Sequence, residues 1–275
     1  MNVAIVKYNA GNIYSVVNAL RRLGVEPILT DDAEKLRRAD RVLFPGQGEA
    51  STTMAYLREH RIDEVIRSLT QPVLGICIGQ QLLCRHSEEG NTDCIGIFDV
   101  DVRRFQPQRH EDKVPCMGWG TIRGEWRVES GERRVESGER RVESEEWRKE
   151  SRERRVESEE WREESREWKE ITTACPLFKG ILNLKSQTSN LKSQTSNLKS
   201  QTSNLKPQTS NLKPQYVYFV HSYYVPLCEH TAAVADYILP YSAALHKDNF
   251  YTCQFHPEKS GQVGEQILRN FLDIK

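Results

Sequence analysis

The sequence has no net charge and little apolar content for its length. Its 275 residues include 39 Lys and Arg and 39 Asp and Glu, so the formal net charge is zero. This balance gives no indication of a nucleic-acid partner or an anionic membrane surface. Hydrophobic residues make up 37% of the chain. That share is low for a globular protein, so part of the chain is expected to lie outside the core.

Long hydrophobic runs and paired cysteines are also missing. No apolar run approaches the roughly 18 residues that span a bilayer, and the N-terminus lacks the basic and apolar regions of a signal peptide. The seven cysteines are odd in number and include no CxxC pair. The sequence therefore predicts no metal site, no disulfide framework and a reducing compartment. We expect a soluble, cytoplasmic protein without a cofactor.

Two blocks of seven-residue repeats interrupt the chain. The first contains units such as RVESGER and RVESEEW and covers about residues 124–170, and the second contains NLKSQTS and NLKPQTS and covers residues 183–215. The first block has too few apolar residues for a coiled coil, and the second is polar apart from one Leu per unit. We interpret both as insertions in a single domain spanning residues 1–275. The remaining sequence, roughly 200 residues, has the size of one ordinary domain.

Strand and helix patterns alternate along the rest of the chain. This alternation predicts an α/β fold in three layers, with a mostly parallel central sheet, flanking helices and a smaller antiparallel portion. The predicted strands cover residues 3–8, 27–29, 41–44, 72–76, 100–105, 216–221, 231–235, 243–245 and 251–255. The predicted helices cover residues 15–23, 54–69, 80–85 and 262–272.

The segment Gly75-Ile76-Cys77-Ile78-Gly79 is the strongest local signal of chemistry. It lies where an apolar strand meets a helix, and a nucleophile between two glycines at such a junction is typical of a strained elbow. The helix N-terminus behind the elbow favours a thiolate. A small buried core cysteine is the alternative interpretation.

A base and an orienting group for Cys77 are found near the C-terminus, in Gln254-Phe255-His256-Pro257-Glu258. Glu258 is two residues after His256, so its carboxylate can hold the imidazole from the same loop. A Cys–His–Glu relay performs covalent acyl transfer, in which His256 takes the thiol proton and returns it to the leaving group. Taken alone, His256 also fits a surface histidine beside a loop proline.

An oxyanion formed during acyl transfer needs fixed amide donors. The segment Gly46-Gln47-Gly48 follows a predicted strand, and its two glycines let the peptide turn an N–H toward the site. The amide of Ile78, next to the nucleophile, is the second predicted donor. By itself this segment is equally typical of an ordinary turn.

Together these segments make the chain resemble the triad class, or class I, of glutamine amidotransferases. Within that class it is similar to the glutaminase subunits of imidazole glycerol phosphate synthase. The cysteine elbow and the His-Pro-Glu segment are shared by the whole class, whereas the other segments point to the subfamily. The resemblance rests on residues 8–12, 45–48, 75–81, 113–119, 219–224 and 247–261, which cover the chain apart from the repeat blocks.

The resemblance implies a specific activity. Cys77 attacks the side-chain amide of glutamine to form a glutamyl thioester, and ammonia passes to a separate TIM-barrel synthase subunit, the heterodimer partner. That subunit makes imidazole glycerol phosphate and an aminoimidazole carboxamide ribotide in histidine biosynthesis. The residues implied to hold the substrate are Gln81, His221, Ser222 and Tyr223, and those implied to face the partner are Asn12, Trp119 and Lys259.

Three positions depart from the family pattern. A small aliphatic residue is usual where Gln47 stands, His is frequent at Cys116, and Asn is frequent at Gly120. Two other functions stay open at this point. One is the glutaminase of another triad amidotransferase, serving anthranilate, aminodeoxychorismate or GMP synthesis, and the other is a non-catalytic scaffold that bears the repeats.

Overall fold

The structure is a computed structural model that describes residues 1–8, 13–46, 48–124, 175–182 and 215–275. Almost all of both repeat blocks falls outside these residues, so the prediction that they are insertions in one domain stays a prediction. The last residue assigned to the second block, Gln215, begins a strand, because it pairs with Ile122 of a neighbouring strand.

Strands and helices alternate along the first half of the described chain, and strands dominate the second half. The strands are β1 (Val3–Val6), β2 (Ile28–Thr30), β3 (Arg41–Phe44), β4 (Val73–Ile76), β5 (Cys84–Ser87), β6 (Thr92–Asp93), β7 (Phe98–Arg104), β8 (Cys116–Ile122), β9 (Gln215–His221), β10 (Tyr223–Tyr224), β11 (Thr231–Asp236), β12 (Pro240–Lys247) and β13 (Phe250–Cys253). The helices are α1 (Tyr14–Arg22), α2 (Ala33–Arg38), α3 (Ala50–Glu59), α4 (Ile62–Arg67), α5 (Ile78–Leu83) and α6 (Gly261–Leu272). Short 3-10 turns lie at Pro176–Phe178 and Pro257–Lys259.

A seven-stranded sheet organises the described residues, in the order β11-β12-β13-β4-β3-β1-β2. The five strands from β13 to β2 run parallel, and β12 and β11 are added antiparallel at one edge. Because parallel strands end at the same edge, the carboxyl ends of β3, β4 and β13 meet in space. The loops after these three strands carry the predicted oxyanion segment, the elbow and His256.

Alternating residues of the sheet strands face two separate hydrophobic layers. Ile5, Leu43 and Leu74 are buried in a layer that includes α1, α6 and the β8–β9 pair. Their chain neighbours Ala4 and Val42 are buried in a second layer that includes α2, α3, α4 and α5. A sheet buried on both faces needs continuous apolar strands, as β1 and β3 have. The predicted fold class is therefore confirmed.

Two helix predictions were wrong in detail. The helix predicted over residues 54–69 is two helices, α3 and α4, because Arg61 takes a left-handed conformation with φ 54° and breaks the chain direction. The helix predicted over residues 80–85 starts earlier, at Ile78, and ends at Leu83. Cys84 then begins β5, which pairs with β7.

Strand β8 was not predicted. Its sequence, CMGWGTI, contains Gly118 and Gly120, and glycine is unfavourable in strands. Its partner β9 lies far along the chain, beyond both repeat blocks, so no local hairpin signal joins them. None of the helices in the described part of the chain has the length and hydropathy that crossing a membrane requires.

Candidate active site

Cys77 lies at a strained turn between β4 and α5. Its φ of 52° and ψ of −110° are rarely adopted by residues other than glycine, and its amide donates to the Cys253 carbonyl at 2.7 Å. The turn depends on the flanking glycine, because a Cβ at Gly79 would lie 2.2 Å from the Phe44 carbonyl oxygen. The strained elbow predicted from the sequence is thus present at this position.

The end of β3 is packed directly against this turn through Gly46. A Cβ added at Gly46 would lie 1.9 Å from the Ile76 carbonyl oxygen and 2.6 Å from the Cys77 Cβ. Only glycine allows the backbone to approach the nucleophile so closely. Gly48 has a φ of +127°, and a Cβ added there would lie 3.0 Å from the hydroxyl oxygen of Thr53. Gln47 lies outside the described residues, so its amide stays a predicted oxyanion donor.

Ile78 is the first residue of α5, directly after Cys77. The first amides of a helix have no intrahelical acceptor, so the Ile78 N–H is available to a group bound next to the sulfur. This position agrees with its predicted part in the oxyanion hole. The donor role of Ile78 stays a prediction.

His256 and Glu258 form a buried pair on the loop that follows β13. The Nδ1 of His256 lies 2.8 Å from the Oε1 of Glu258, and their side chains are only 4% and 1% exposed. The loop is anchored to β9, since the His256 amide donates to the Tyr218 carbonyl at 2.9 Å. The hydroxyl of Ser260 donates back to the His256 carbonyl at 2.6 Å. The imidazole is therefore held in one orientation, as a relay requires.

The imidazole of His256 lies beside the sulfur of Cys77. Burial alone lowers the pKa of His256, but hydrogen-bonding and charge interactions with Cys77 and Glu258 outweigh it and raise the pKa from 6.5 to about 10. Its Nε2 is buried and makes no well-aligned hydrogen bond in the described part of the chain. The two groups are thus close enough to interact but not optimally aligned. Catalytic hydrogen bonds commonly tighten when substrate binds.

A positively charged imidazole has a direct chemical consequence. Because the pKa of His256 is raised to about 10, the ring holds its proton across neutral pH. A cation beside a cysteine favours the thiolate, which is the nucleophilic form. The relay predicted from the sequence passes through the same charged imidazole, once His256 has taken the thiol proton.

The predicted substrate residue Gln81 is buried close to the elbow. Its Nε2 donates to the Tyr223 carbonyl at 3.1 Å and to the Oε1 of Gln254 at 3.0 Å. The Nε2 of Gln254 in turn lies 3.7 Å from the Cys77 sulfur. The structure therefore brings Gln81 and Tyr223 together with the nucleophile.

His221 is also buried near this site, but its ring is fully engaged. Its Nδ1 bonds to the Tyr223 carbonyl at 2.7 Å and its Nε2 contacts the Tyr241 hydroxyl at 3.3 Å. Burial lowers the pKa of His221 to about 4, so the ring is neutral at physiological pH. Its role as a substrate contact stays a prediction. The more evident function of the ring is to fix the loop that carries Ser222 and Tyr223.

Two of the three predicted partner residues lie on exposed surface. Trp119 is 59% exposed on β8, and Lys259 is exposed on the 3-10 turn that carries Glu258. Asn12 lies outside the described residues. At Gly120, which departs from the family pattern, an added Cβ would lie 3.0 Å from the Phe219 ring. Cys116 is buried in the same strand and belongs to the core.

Three residues of this region were not assigned a role from the sequence. Gln254 stands inside the Gln-Phe-His-Pro-Glu segment, but nothing in the pattern shows that its amide contacts both Cys77 and Gln81. Met117 and Tyr216 are 65% and 52% exposed on the same paired strands as Trp119. The spacing of Met117 and Trp119 could have indicated their shared position, because residues two apart in a strand lie on the same face of the sheet.

Comparison with known proteins agrees with this geometry. The family model for glutamine amidotransferase class-I matches residues 4–274. A protein of Bacteroides thetaiotaomicron named imidazole glycerol phosphate synthase subunit HisH is 46% identical over 274 residues, covering 100% of both chains. The protein of the same name from Yersinia pestis is 31% identical over 275 residues, again covering 100% of both chains.

Solved structures show the same fold at low sequence identity. A protein from Thermoplasma acidophilum, assigned to GMP synthase, aligns with a TM-score of 0.55 and 16% identity, covering 99% of this chain and 92% of that chain. A solved glutamine amidotransferase aligns with a TM-score of 0.53 and 15% identity, covering 99% and 98%. The family match over almost the whole length and the full-length relatives lead to one conclusion: this chain belongs to the class-I glutamine amidotransferase family.

Proposed function

We propose that this chain is the glutaminase subunit of an imidazole glycerol phosphate synthase, with Cys77, His256 and Glu258 as its catalytic triad. The observation that carries the proposal is the buried His256–Glu258 pair beside the strained Cys77 elbow. Such a subunit hydrolyses glutamine to glutamate and supplies ammonia to its synthase partner for histidine biosynthesis. We place this activity in the cytoplasm.

The reaction follows from the geometry of the three side chains. The Cys77 sulfur attacks the side-chain carbonyl carbon of glutamine, and the carbonyl oxygen takes up negative charge facing the amides of Ile78 and the Gly46–Gly48 segment. When the tetrahedral intermediate collapses, the C–N bond breaks and the imidazolium of His256 gives its proton to the leaving ammonia. Water, deprotonated by His256, then hydrolyses the glutamyl thioester to glutamate. Glu258 keeps the ring oriented throughout.

Replacing Glu258 by Gln is expected to impair this proton transfer. The interactions with Cys77 and with Glu258 both raise the pKa of His256, and the variant keeps the shape of the side chain but removes the negative charge of Glu258. We expect the kcat of glutamine hydrolysis to fall by at least about 10²-fold, since loss of the orienting carboxylate misplaces the imidazole proton. Glu265→Gln, which removes a half-exposed carboxylate on α6, is the matched control and should keep the activity.

The same substitution also changes how stability depends on pH. The pKa of His256 is raised from 6.5 to about 10 in the folded protein, so its contribution to the free energy of unfolding is complete below pH 6.5 and lost as pH rises toward 10. In Glu258→Gln this loss should occur at lower pH. Urea unfolding of the wild type and of Glu258→Gln between pH 6.5 and 10 measures this difference in stability. If the free energy of unfolding depended on pH in the same way in the wild type and in Glu258→Gln, the His256–Glu258 interaction would have no such effect.

The exposed face of the β8–β9 pair is the surface proposed to dock the synthase. On one face of this pair Cys116, Ile122 and Phe219 are buried in the core. On the opposite face Met117, Trp119 and Tyr216 remain exposed, and Trp119 packs edge-on against Tyr218 at a centroid distance of 6.0 Å. Exposed aromatic and Met side chains grouped in this way are typical of protein interfaces.

This docking face is bonded to the catalytic loop. The Tyr218 amide donates to the Ser260 hydroxyl at 3.0 Å, and the Tyr218 carbonyl accepts from the His256 amide. The Val220 carbonyl, two residues further along β9, lies 3.8 Å from the Cys77 sulfur. A partner that shifts β9 therefore acts on both the nucleophile and the base. We propose that this partner is a barrel-shaped synthase.

Trp119→Ala should weaken binding of the synthase subunit. A large aromatic anchor at an interface commonly contributes 2 kcal/mol or more, so we expect Kd to rise by about 30-fold. Isothermal titration of the purified synthase measures this change. Ile28→Ala, which trims another exposed apolar residue at the opposite edge of the central sheet, is the control and should bind normally. Equal affinities for Trp119→Ala and the wild-type chain would rule out this face.

A reconstituted assay tests the proposed function as a whole. The chain is mixed with a purified barrel synthase and its ribonucleotide substrate, and imidazole glycerol phosphate is measured with glutamine or ammonium as nitrogen source. Glutamine-dependent product is expected only when this chain is present. Activation of a chorismate-using enzyme instead would assign the chain to another member of the class.

A further inference from the structure

The side-chain amide of Gln254 lies between the nucleophile and the predicted substrate residue Gln81. Gln254 is completely buried, and its main-chain amide is fixed by a 2.8 Å bond to the Ala243 carbonyl. Its Oε1 accepts from the Gln81 Nε2 at 3.0 Å, and its Nε2 is 3.7 Å from the Cys77 sulfur. A single buried side chain thus contacts both groups.

The backbone carbonyl of Tyr223 decides which atoms donate and which accept in the contacts from Gln81 through Gln254 to the Cys77 sulfur. The Tyr223 carbonyl can only accept, so the end of Gln81 that faces it at 3.1 Å must be the NH₂ group. That NH₂ group also faces Gln254, which must therefore present its oxygen to Gln81. The other end of Gln254, its NH₂ group, then has to face the sulfur. The orientation of the amide is fixed by hydrogen bonding and does not depend on the assignment of N and O atoms.

We propose that Gln254 is a positioning residue that donates an N–H to the Cys77 sulfur and holds Gln81 in place for the substrate. The proposal rests on the function proposed above for Cys77 and Gln81. A hydrogen bond donated to the charged form of an acid favours that form, so the Gln254 amide supports the thiolate together with the imidazolium of His256. The bond to Gln81 couples this thiolate to the residue that receives glutamine.

Gln80 provides a matched comparison on the same helix as Gln81. It is equally buried, but its Nε2 donates to the Ser242 carbonyl at 3.0 Å and its Oε1 accepts from the Thr252 hydroxyl at 2.8 Å. These bonds connect α5 to β12 and β13 without reaching the sulfur. Replacing Gln80 by Met therefore removes a buried amide of the same kind and tests for effects of stability alone.

The test measures iodoacetamide alkylation of Cys77 as a function of pH, by mass spectrometry of the peptide that contains it, in Gln254→Met, Gln254→Asn and Gln80→Met. Hydrogen bonds to charged groups contribute about 1.5–3 kcal/mol, so the alkylation profile of Gln254→Met should move upward by about one pH unit or more. Gln254→Asn, which shortens the side chain by one methylene, should shift the profile in the same direction. This variant replaces Gln254→Met in the test if the Met variant does not fold. Gln80→Met should lower the melting temperature but leave the profile in place.

A second measurement separates positioning from structure. In complex with the synthase, Gln254→Met should raise the KM for glutamine about tenfold, because Gln81 loses its partner. An alkylation profile that matches the wild type in the folded Gln254 variants would overturn the proposal. Alkylation needs no turnover, so it tests the role of Gln254 separately from the proposed function. A wild-type chain that fails to hydrolyse glutamine would refute the proposed function, whereas the alkylation profiles would still show whether Gln254 acts on the Cys77 sulfur.

Discussion

Cys77→Ala is expected to abolish glutamine-dependent synthesis while leaving ammonium-driven synthesis intact. The variant lacks the sulfur that forms the thioester, and loss of a nucleophile that acts together with its base lowers kcat by about 10⁴-fold or more. Under the proposed function the synthase subunit can also use ammonia from solution, so we expect added ammonium to restore product. Imidazole glycerol phosphate formation with each nitrogen source measures both activities in the same complex.

The other cysteines supply the controls for this experiment. Burial raises the pKa of the thiols of Cys84, Cys94, Cys116, Cys175, Cys228 and Cys253. The pKa reaches about 11 for Cys116 and about 12 for Cys94, so these thiols stay protonated at neutral pH. Cys228→Ala, at a half-buried thiol, should keep both activities. Glutamine-dependent product in Cys77→Ala would refute the covalent mechanism.

Gly46→Ala is expected to lower kcat strongly, because the backbone next to the nucleophile has no room for a methyl group. The added methyl group meets the Ile76 carbonyl at 1.9 Å and the Cys77 Cβ at 2.6 Å, so the backbone of the oxyanion segment or of the elbow must move. Loss of one oxyanion donor costs about 10²–10³-fold in kcat. Glutaminase assays in the complex, together with thermal unfolding, measure the two effects separately.

Gly24→Ala is the matched control for this substitution. Gly24 has a φ of +79° with nothing within 4 Å of an added Cβ, so alanine there is strained but meets no neighbour. It should cost about 1 kcal/mol of stability and leave kcat unchanged. If Gly46→Ala kept wild-type kcat, the oxyanion segment would have to lie elsewhere.

The sequence predicts each part of the catalytic site but not how the parts meet. Cys77 and His256 could each be placed after a strand, from the glycines around one and the proline after the other. Their proximity depends on β4 and β13 being neighbours in the sheet, with Cys253 paired to Ile76. No local pattern shows this pairing, because the two strands are separated by the whole β5–β12 region.

Residues that act through side-chain contacts were the hardest to predict. Gln254 belongs to a segment that was recognised, yet its contacts with Cys77 and Gln81 exist only once β13 packs beside α5. The ring of His221 contacts Tyr223 and Tyr241, which the sequence pattern does not show, and its expected contact with substrate stays a prediction. The break at Arg61 was missed because the apolar pattern of residues 54–69 continues through it. Periodicity reports which face is buried, and a left-handed residue does not change that.

Labelling with 6-diazo-5-oxonorleucine, a glutamine analogue that alkylates an attacking nucleophile, tests the central claim most directly. The chain is treated in complex with the synthase and its ligand, and the adduct is located by mass spectrometry of peptides. We predict one adduct, on the Cys77 sulfur, with none on the six other cysteines and none in Cys77→Ala. An adduct on another residue, or loss of activity without an adduct on Cys77, would contradict the account.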